Sequence, residues 1–241
     1  MLRLENVCYV IEQDGKPRYI LKDINLEVNK GETLVITGHN GSGKSTLLKI
    51  VMGILPVTSG KIYLNNTDIT DMTISDRAKL GIAYAFQTPV TFKGLKVRDL
   101  LSIAQKTNSN IMEVCNYLSK VGLCARDYID RELGNGLSGG ELKRIEIATT
   151  FARGADLNMF DEPEAGIDLW SFDGLISAFN ENKNEGGTNI IISHQEKIMT
   201  IADRIVVMDN ASISMMGSSE DILPKVSSAR VCSRLKGEGH E

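Results

Sequence analysis

The sequence predicts an α/β protein built on a parallel sheet, with a helical lobe set into it. Three observations predict this. Apolar runs of strand length alternate with segments of helical periodicity, which is the pattern of repeated βα units. One junction between such a strand and helix reads Gly38-His39-Asn40-Gly41-Ser42-Gly43-Lys44-Ser45. The stretch 88–150 carries helical pattern with no strong strand.

The elements follow in order. Residues 1–30 alternate apolar and polar positions around a polar turn, Gln13-Asp14-Gly15-Lys16-Pro17, as in a half-buried hairpin. Thr33-Leu34-Val35-Ile36-Thr37 is a buried strand feeding the glycine loop, and the run from Thr46 to Val51 is a helix leaving it. Pro56 to Gly60 makes a break before a strand over 61–66. A short helix over 73–80 precedes a buried strand over 81–86 that ends at Gln87. Within 96–125, Val97, Leu100, Leu101 and Ala104 share one helical face, and Ile111, Val114, Cys115 and Leu118 share another. A further helix opens after Gly139-Gly140. Strands are expected over 157–160, 189–193 and 205–208, with a helix over 169–183. The end beyond Pro224 is polar and reads as a tail.

Composition narrows the function classes. The chain has 241 residues, 42% hydrophobic and 24% charged, with a formal net charge of −4. Such a balance suits a globular domain with a lobe, and does not favour nucleic acid or an anionic membrane as main partner. No apolar run approaches the roughly 20 residues that span a bilayer. The start, Met1-Leu2-Arg3-Leu4-Glu5-Asn6, lacks the layout of a secretory signal, so the expected compartment is the cytoplasm. Cys8, Cys115, Cys124 and Cys232 form no C-x-x-C pair and are expected to be free thiols rather than zinc or cluster ligands.

The glycine loop fits G-x-x-x-x-G-K-[ST] between a strand and a helix, the context in which it cradles a polyphosphate. Its glycines permit positive φ, its N–H groups approach phosphate oxygens, and the helix dipole points at the same place. Residues Gly38, His39, Asn40, Gly41, Ser42, Gly43, Lys44, Ser45 and Thr46 are therefore the candidate nucleoside triphosphate contacts. Lys44 would reach the β- and γ-phosphates and Ser45 would hold Mg²⁺. Asp161 closes a buried strand and can reach Mg²⁺, while Glu162 beside it can polarise a water. His194 and Gln87 end neighbouring buried strands, on the sheet edge where α/β proteins bind ligands. His194 could donate to charge developing on the γ-phosphate, and Gln87 could sense metal and water. Ser138-Gly139-Gly140 opens a helix and so makes an anion-binding end with no evident use for this chain's own nucleotide.

In this order, the phosphate loop, Gln87, Leu137-Ser138-Gly139-Gly140-Glu141, Asp161-Glu162, Ala165-Gly166-Ile167-Asp168 and His194 resemble the nucleotide-binding domain of ABC ATPases. The resemblance runs from about residue 2 to 217. It implies an ABC ATPase fold over 1–241: a RecA-like P-loop core (31–60, 73–87 and 151–217), an antiparallel β-lobe (1–30 and 61–72), an inserted α-helical lobe (88–150) and a tail (218–241). It also implies a head-to-tail dimer holding two ATP, each between the loop of one subunit and Ser138, Gly139 and Gly140 of the other. Asp168 would then carry communication across that interface. By the same resemblance Ser45, Gln87 and Asp161 hold Mg²⁺, Glu162 is the general base and His194 the switch histidine. Tyr9 is the candidate to stack on adenine, with Ile11 the other position where that contact could fall. Glu164 stands where many members carry Ser or Thr, and the resemblance gives it no role.

Two loads are compatible with such an ATPase. The segments Phe86-Gln87-Thr88-Pro89-Val90, Gly94-Leu95-Lys96-Val97 and Ser138 to Glu146 resemble the SufC ATPases of iron–sulfur cluster assembly. That likeness implies a soluble SufB/SufD-like scaffold as partner, seated in the cleft between the helical lobe and Gln87, with Leu95 and Val97 among its contacts. The cluster would be carried by the scaffold. The alternative is the ATPase subunit of a membrane ABC transporter. A DNA-maintenance ATPase needs a coiled-coil arm, and too few residues separate Lys44 from Ser138 to hold one.

Overall fold

The protein is described by a computed structural model over residues 1–105, 110–134 and 136–237, with side chains to residue 228. Strands β1 (Leu2–Gln13) and β2 (Lys16–Val28) form the expected hairpin. Its turn residues Asp14 and Gly15 take φ of 53° and 71°, the twist a two-residue hairpin turn requires. Strands β4 (Ser59–Leu64) and β5 (Thr67–Asp68) complete an antiparallel sheet in the order β2-β1-β4-β5.

The second sheet has the order β10 (Ser212–Ser218), β9 (Arg204–Asp209), β3 (Thr33–Gly38), β8 (Thr188–Ile192), β7 (Leu157–Asp161) and β6 (Ile82–Ala85). All its pairings are parallel except β10 with β9. Alternate residues of its central strands serve two cores. Leu34, Ile36, Met159 and Ile190 face the antiparallel sheet and helix α1 (Lys44–Met52). Val35, Phe160 and Ile191 face the helices, where Phe160 packs against Phe151 and Phe179 at centroid distances of 5.4 and 4.9 Å.

Helix α2 (Ile74–Lys79) follows the antiparallel sheet and buries Arg77. The Arg77 guanidinium donates to the carbonyls of Ile50, Val51, Thr70 and Met72. Those of Ile50 and Val51 lie in the last turn of α1, where carbonyls lack a regular partner four residues on. The helical lobe comprises α3 (Val97–Gln105), α4 (Ile111–Lys120), α5 (Ala125–Tyr128) and α6 (Gly139–Ala152). The expected inward faces hold for Val97 and Leu101 and for Val114 and Leu118, whereas Ile111 is exposed. Helices α7 (Leu169–Asn184) and α8 (Glu196–Thr200) flank β8.

Two elements differ from the sequence reading. Strand β10 is a serine- and methionine-rich segment without alternation, formed because Asn210 and Ala211, at φ 45° and 67°, fold it back on β9. The segment read as a tail contains helix α9 (Ser219–Gly237). Ser218 caps it by accepting from the Asp221 N–H, and although Pro224 lies inside the helix, Ile222, Leu223 and Val226 around it pack against the core. Residues 238–241 and the Cys232 side chain lie outside the described residues. Cys8, Cys115 and Cys124 are free thiols.

Candidate nucleotide site

The carboxyl ends of four parallel strands bring the candidate residues to one edge. The glycine loop leaves β3, Gln87 follows β6, Asp161 closes β7 and His194 follows β8. Two of the loop glycines admit no side chain. A Cβ on Gly38, at φ 139°, would lie 2.0 Å from the Met208 carbonyl oxygen. One on Gly43, at φ 101°, would lie 2.6 Å from that of Ile20. The loop therefore rests directly on β9 and β2.

Lys44 is 6% exposed and folds over its own loop, donating to the carbonyls of Gly38 at 2.8 Å and His39 at 2.9 Å. Burial lowers its pKa, and the nearby Glu162 and Asp161 charges oppose that. Ser45 Oγ donates to Asp161 Oδ1 at 3.0 Å, and the Tyr84 hydroxyl donates to Oδ2 at 3.0 Å. Burial and the Asp161 charge push the Tyr84 phenol up, which keeps it a donor.

Glu162 takes φ 46°, a left-handed conformation that a residue of its size adopts only under constraint. Its N–H is held by the Ile192 carbonyl at 3.0 Å. Gln87 Nε2 donates to Glu162 Oε2 at 2.9 Å, and His194 Nε2 lies 3.9 Å from Oε1. One carboxylate thus meets both other candidates from the strand ends. The oxygen donors Ser45, Asp161 and the Gln87 amide suit Mg²⁺ bound jointly with phosphate. Among the described residues no His/Cys/Asp/Glu group offers an all-protein metal cage.

Ser138, Gly139, Gly140 and Asp168 lie at the starts of α6 and α7. Ser138 caps α6 in a reciprocal box with Glu141. A Cβ on Gly140 would lie 2.4 Å from the Gly166 carbonyl oxygen, so the helix start leans on the Ala165–Asp168 turn. Asp168 caps α7, accepting from the N–H groups of Trp170 and Ser171 at 3.0 Å each. Tyr9 and Ile11 are both half-buried on β1. Tyr9 pairs with Leu21, against which the Gly43 backbone packs, one strand from the loop.

Four contacts of this site are not signalled by the sequence. Those of Tyr84 and of Glu164, a position to which the resemblance gives no role, are two; the others belong to Lys143 and Glu146 on α6. Lys143 is fully buried. Its ammonium donates to the carbonyls of Phe86, Gln87 and Asp161 and lies 3.3 Å from Glu146 Oε2. Glu146 accepts the Phe86 N–H at 3.0 Å, and burial raises its pKa against the pull of Lys143. A Lys–Glu pair three apart on a helix reads as a surface pair; only the apolar residues around it on α6 hinted otherwise.

A family model described as ABC transporter matches residues 21–165. The uncharacterized ABC transporter ATP-binding protein MJ0035 of Methanocaldococcus jannaschii is 37% identical over 213 residues, 85% of each chain. The probable ATP-dependent transporter slr0075 of Synechocystis is 32% identical over 216 residues, covering 83% of this chain and 84% of its own. Among solved structures, the ADP conformation of MJ1267, an ATP-binding cassette of an ABC transporter, superposes with a TM-score of 0.80. It is 29% identical and covers 99% of both chains. No described helix is long and apolar enough to cross a membrane.

Proposed function

The chain belongs to the ABC transporter family of ATPases, and on that premise we propose that it drives a soluble SufB/SufD-like scaffold during iron–sulfur cluster assembly. The protein is an ATP-hydrolysing cassette of the α/β P-loop type. In our reading Lys44 and the loop N–H groups bind the phosphates, and Ser45 and Asp161, with Gln87, hold Mg²⁺. The metal would neutralise charge on the phosphate oxygens. Glu162 accepts the proton of the attacking water, Gln87 orients that water, and His194 donates to the transferring phosphoryl group. Tyr9 is our candidate for adenine. Ser138, Gly139 and Gly140 serve the nucleotide of a second copy, which gives the anion-binding end of α6 a ligand. Asp168 lies on that same interface.

The observation that carries a protein load is the cleft between the helical lobe and the sheet. It encloses about 330 Å³ and is lined by Tyr84, Phe86, Val90, Phe92, Leu100 and Ile103. Phe86, Val90, Phe92 and Ile103 are exposed, a cluster of large apolar side chains beside Gln87. Tyr84 lines this cleft with its ring and holds Asp161 with its hydroxyl. The expectation that Val97 contacts the partner is corrected. Val97 is 0% exposed and packs in the helical core, and Leu95 is partly buried against the same core. Position Val97 opens α3 facing inward, so a charge there would unfold the lobe rather than report on docking.

Phe92→Asp combined with Ile103→Glu is therefore expected to abolish partner capture and to leave ATP affinity within about twofold, because neither residue approaches the loop. Co-purification and nucleotide binding measure the two quantities. Undiminished capture removes the cleft as the seat. The choice of scaffold rests on the SufC-like segments around Gln87 and Ser138. A transporter load is favoured instead by the family description and by the name of the Synechocystis relative. Tagged Glu162→Gln protein, purified anaerobically with ATP and analysed by mass spectrometry, separates them. A soluble cluster-binding partner supports assembly, and a polytopic membrane protein replaces it with transport.

A further inference from the structure

We infer that Glu164 is a positioning residue that fixes His194 relative to Glu162. Glu164 lies in the turn directly after Glu162, where the Ala165 N–H donates to the Glu162 carbonyl and the Ile167 N–H to that of Glu164. Its side chain crosses from the end of β7 to the end of β8. There Oε1 accepts from Ser193 Oγ at 2.6 Å and lies 3.4 Å from the His194 backbone nitrogen. Ser193 is fully buried, and its Oγ in turn accepts the Gln195 N–H at 2.9 Å. The backbone is thus held before, at and after His194 by one carboxylate and one hydroxyl.

The arrangement is costly, which argues that it has a use. Oε2 of Glu164 is buried with no hydrogen-bond partner among the described residues. A buried carboxylate with unused acceptor capacity destabilises a fold. Burial accordingly raises its pKa. What the side chain does hold is the link between the two strand ends whose functional groups stand 3.9 Å apart. A displacement of about 1 Å in such a pair is enough to change a rate many-fold.

The inference rests on our assignment of Glu162 and His194 to hydrolysis, and the test separates the two. Glu164→Ala is expected to lower kcat about tenfold with the KM for ATP within about twofold. Glu164→Gln keeps an oxygen for both bonds and should return kcat to within about threefold of the parent protein. Introduced into His194→Ala, Glu164→Ala should lower the residual turnover no further, since it acts through His194. Full kcat in Glu164→Ala, or an equal loss in the His194→Ala background, overturns the positioning role. Should Glu164→Ala not fold, Ser193→Ala reads the same clamp, and full kcat from that variant overturns the role too. Full kcat from His194→Ala shows instead that the assignment of the histidine is wrong, and the inference falls with it.

Discussion

Replacing Glu162 by Gln is expected to cut ATP turnover by about 10²- to 10⁴-fold while ATP still binds, since that is the range a positioned general base contributes. The substitution preserves shape and an oxygen for the Gln87 amide, which donates to Oε2 at 2.9 Å. It removes the basic oxygen near His194 on Oε1 and the negative charge that faces Lys44. The left-handed backbone at this position is untouched, because Gln meets the same constraint at φ 46° as Glu. Binding should therefore persist, and the unhydrolysed nucleotide should hold two copies together. Turnover assays, nucleotide titration and light scattering of the ATP-bound variant measure the three effects. Parent-like turnover would falsify the assignment of Glu162 as the base and leave the α/β P-loop fold unaffected.

How much of this was legible beforehand depends on what each residue contacts. The positions of the phosphate loop, Asp161, Glu162 and His194 at one sheet edge were readable because each is placed by its own strand or loop. The parallel sheet was readable for the same reason, as buried runs such as Ile190-Ile191-Ile192 signal strands without knowing their neighbours. What escaped is set by partners distant in sequence. Tyr84 matters through Asp161, Lys143 through Phe86 and Gln87, and Glu164 through Ser193, each across 29 or more residues apart from the Lys143–Asp161 contact. Strand β10 likewise exists through its pairing with β9 rather than through its own pattern. Val97 was legible as a core position by periodicity, and its proposed contact role gave way to that same periodicity.

Lys143→Met is expected to destabilise the protein by about 3–5 kcal/mol, the cost of removing one partner of a buried ion pair. The loss falls on four partners of one atom. Glu146 would keep a carboxylate already disfavoured by burial, with its cation gone. The Phe86 and Gln87 carbonyls would lose a charged donor, and so would that of Asp161. Calorimetry should show a melting temperature lower by about 10 °C, given roughly 2–4 °C per kcal/mol at this chain length. Lys143→Met with Glu146→Leu should recover the part due to the unpaired Glu146 charge, because an apolar pair of similar volume leaves no buried charge unpaired, while the three carbonyls and the Phe86 N–H still lack these partners. A melting point unchanged in the single variant would mean that water reaches the pair. The double variant is the more informative in function. Helix α6 begins at Ser138-Gly139-Gly140, the end we assign to the nucleotide of a second copy. Its buried lysine grips the backbone of Gln87 beside the cleft. If that grip couples the cleft to both nucleotides, the double variant should regain part of the stability yet lose the response of its ATPase to a bound partner.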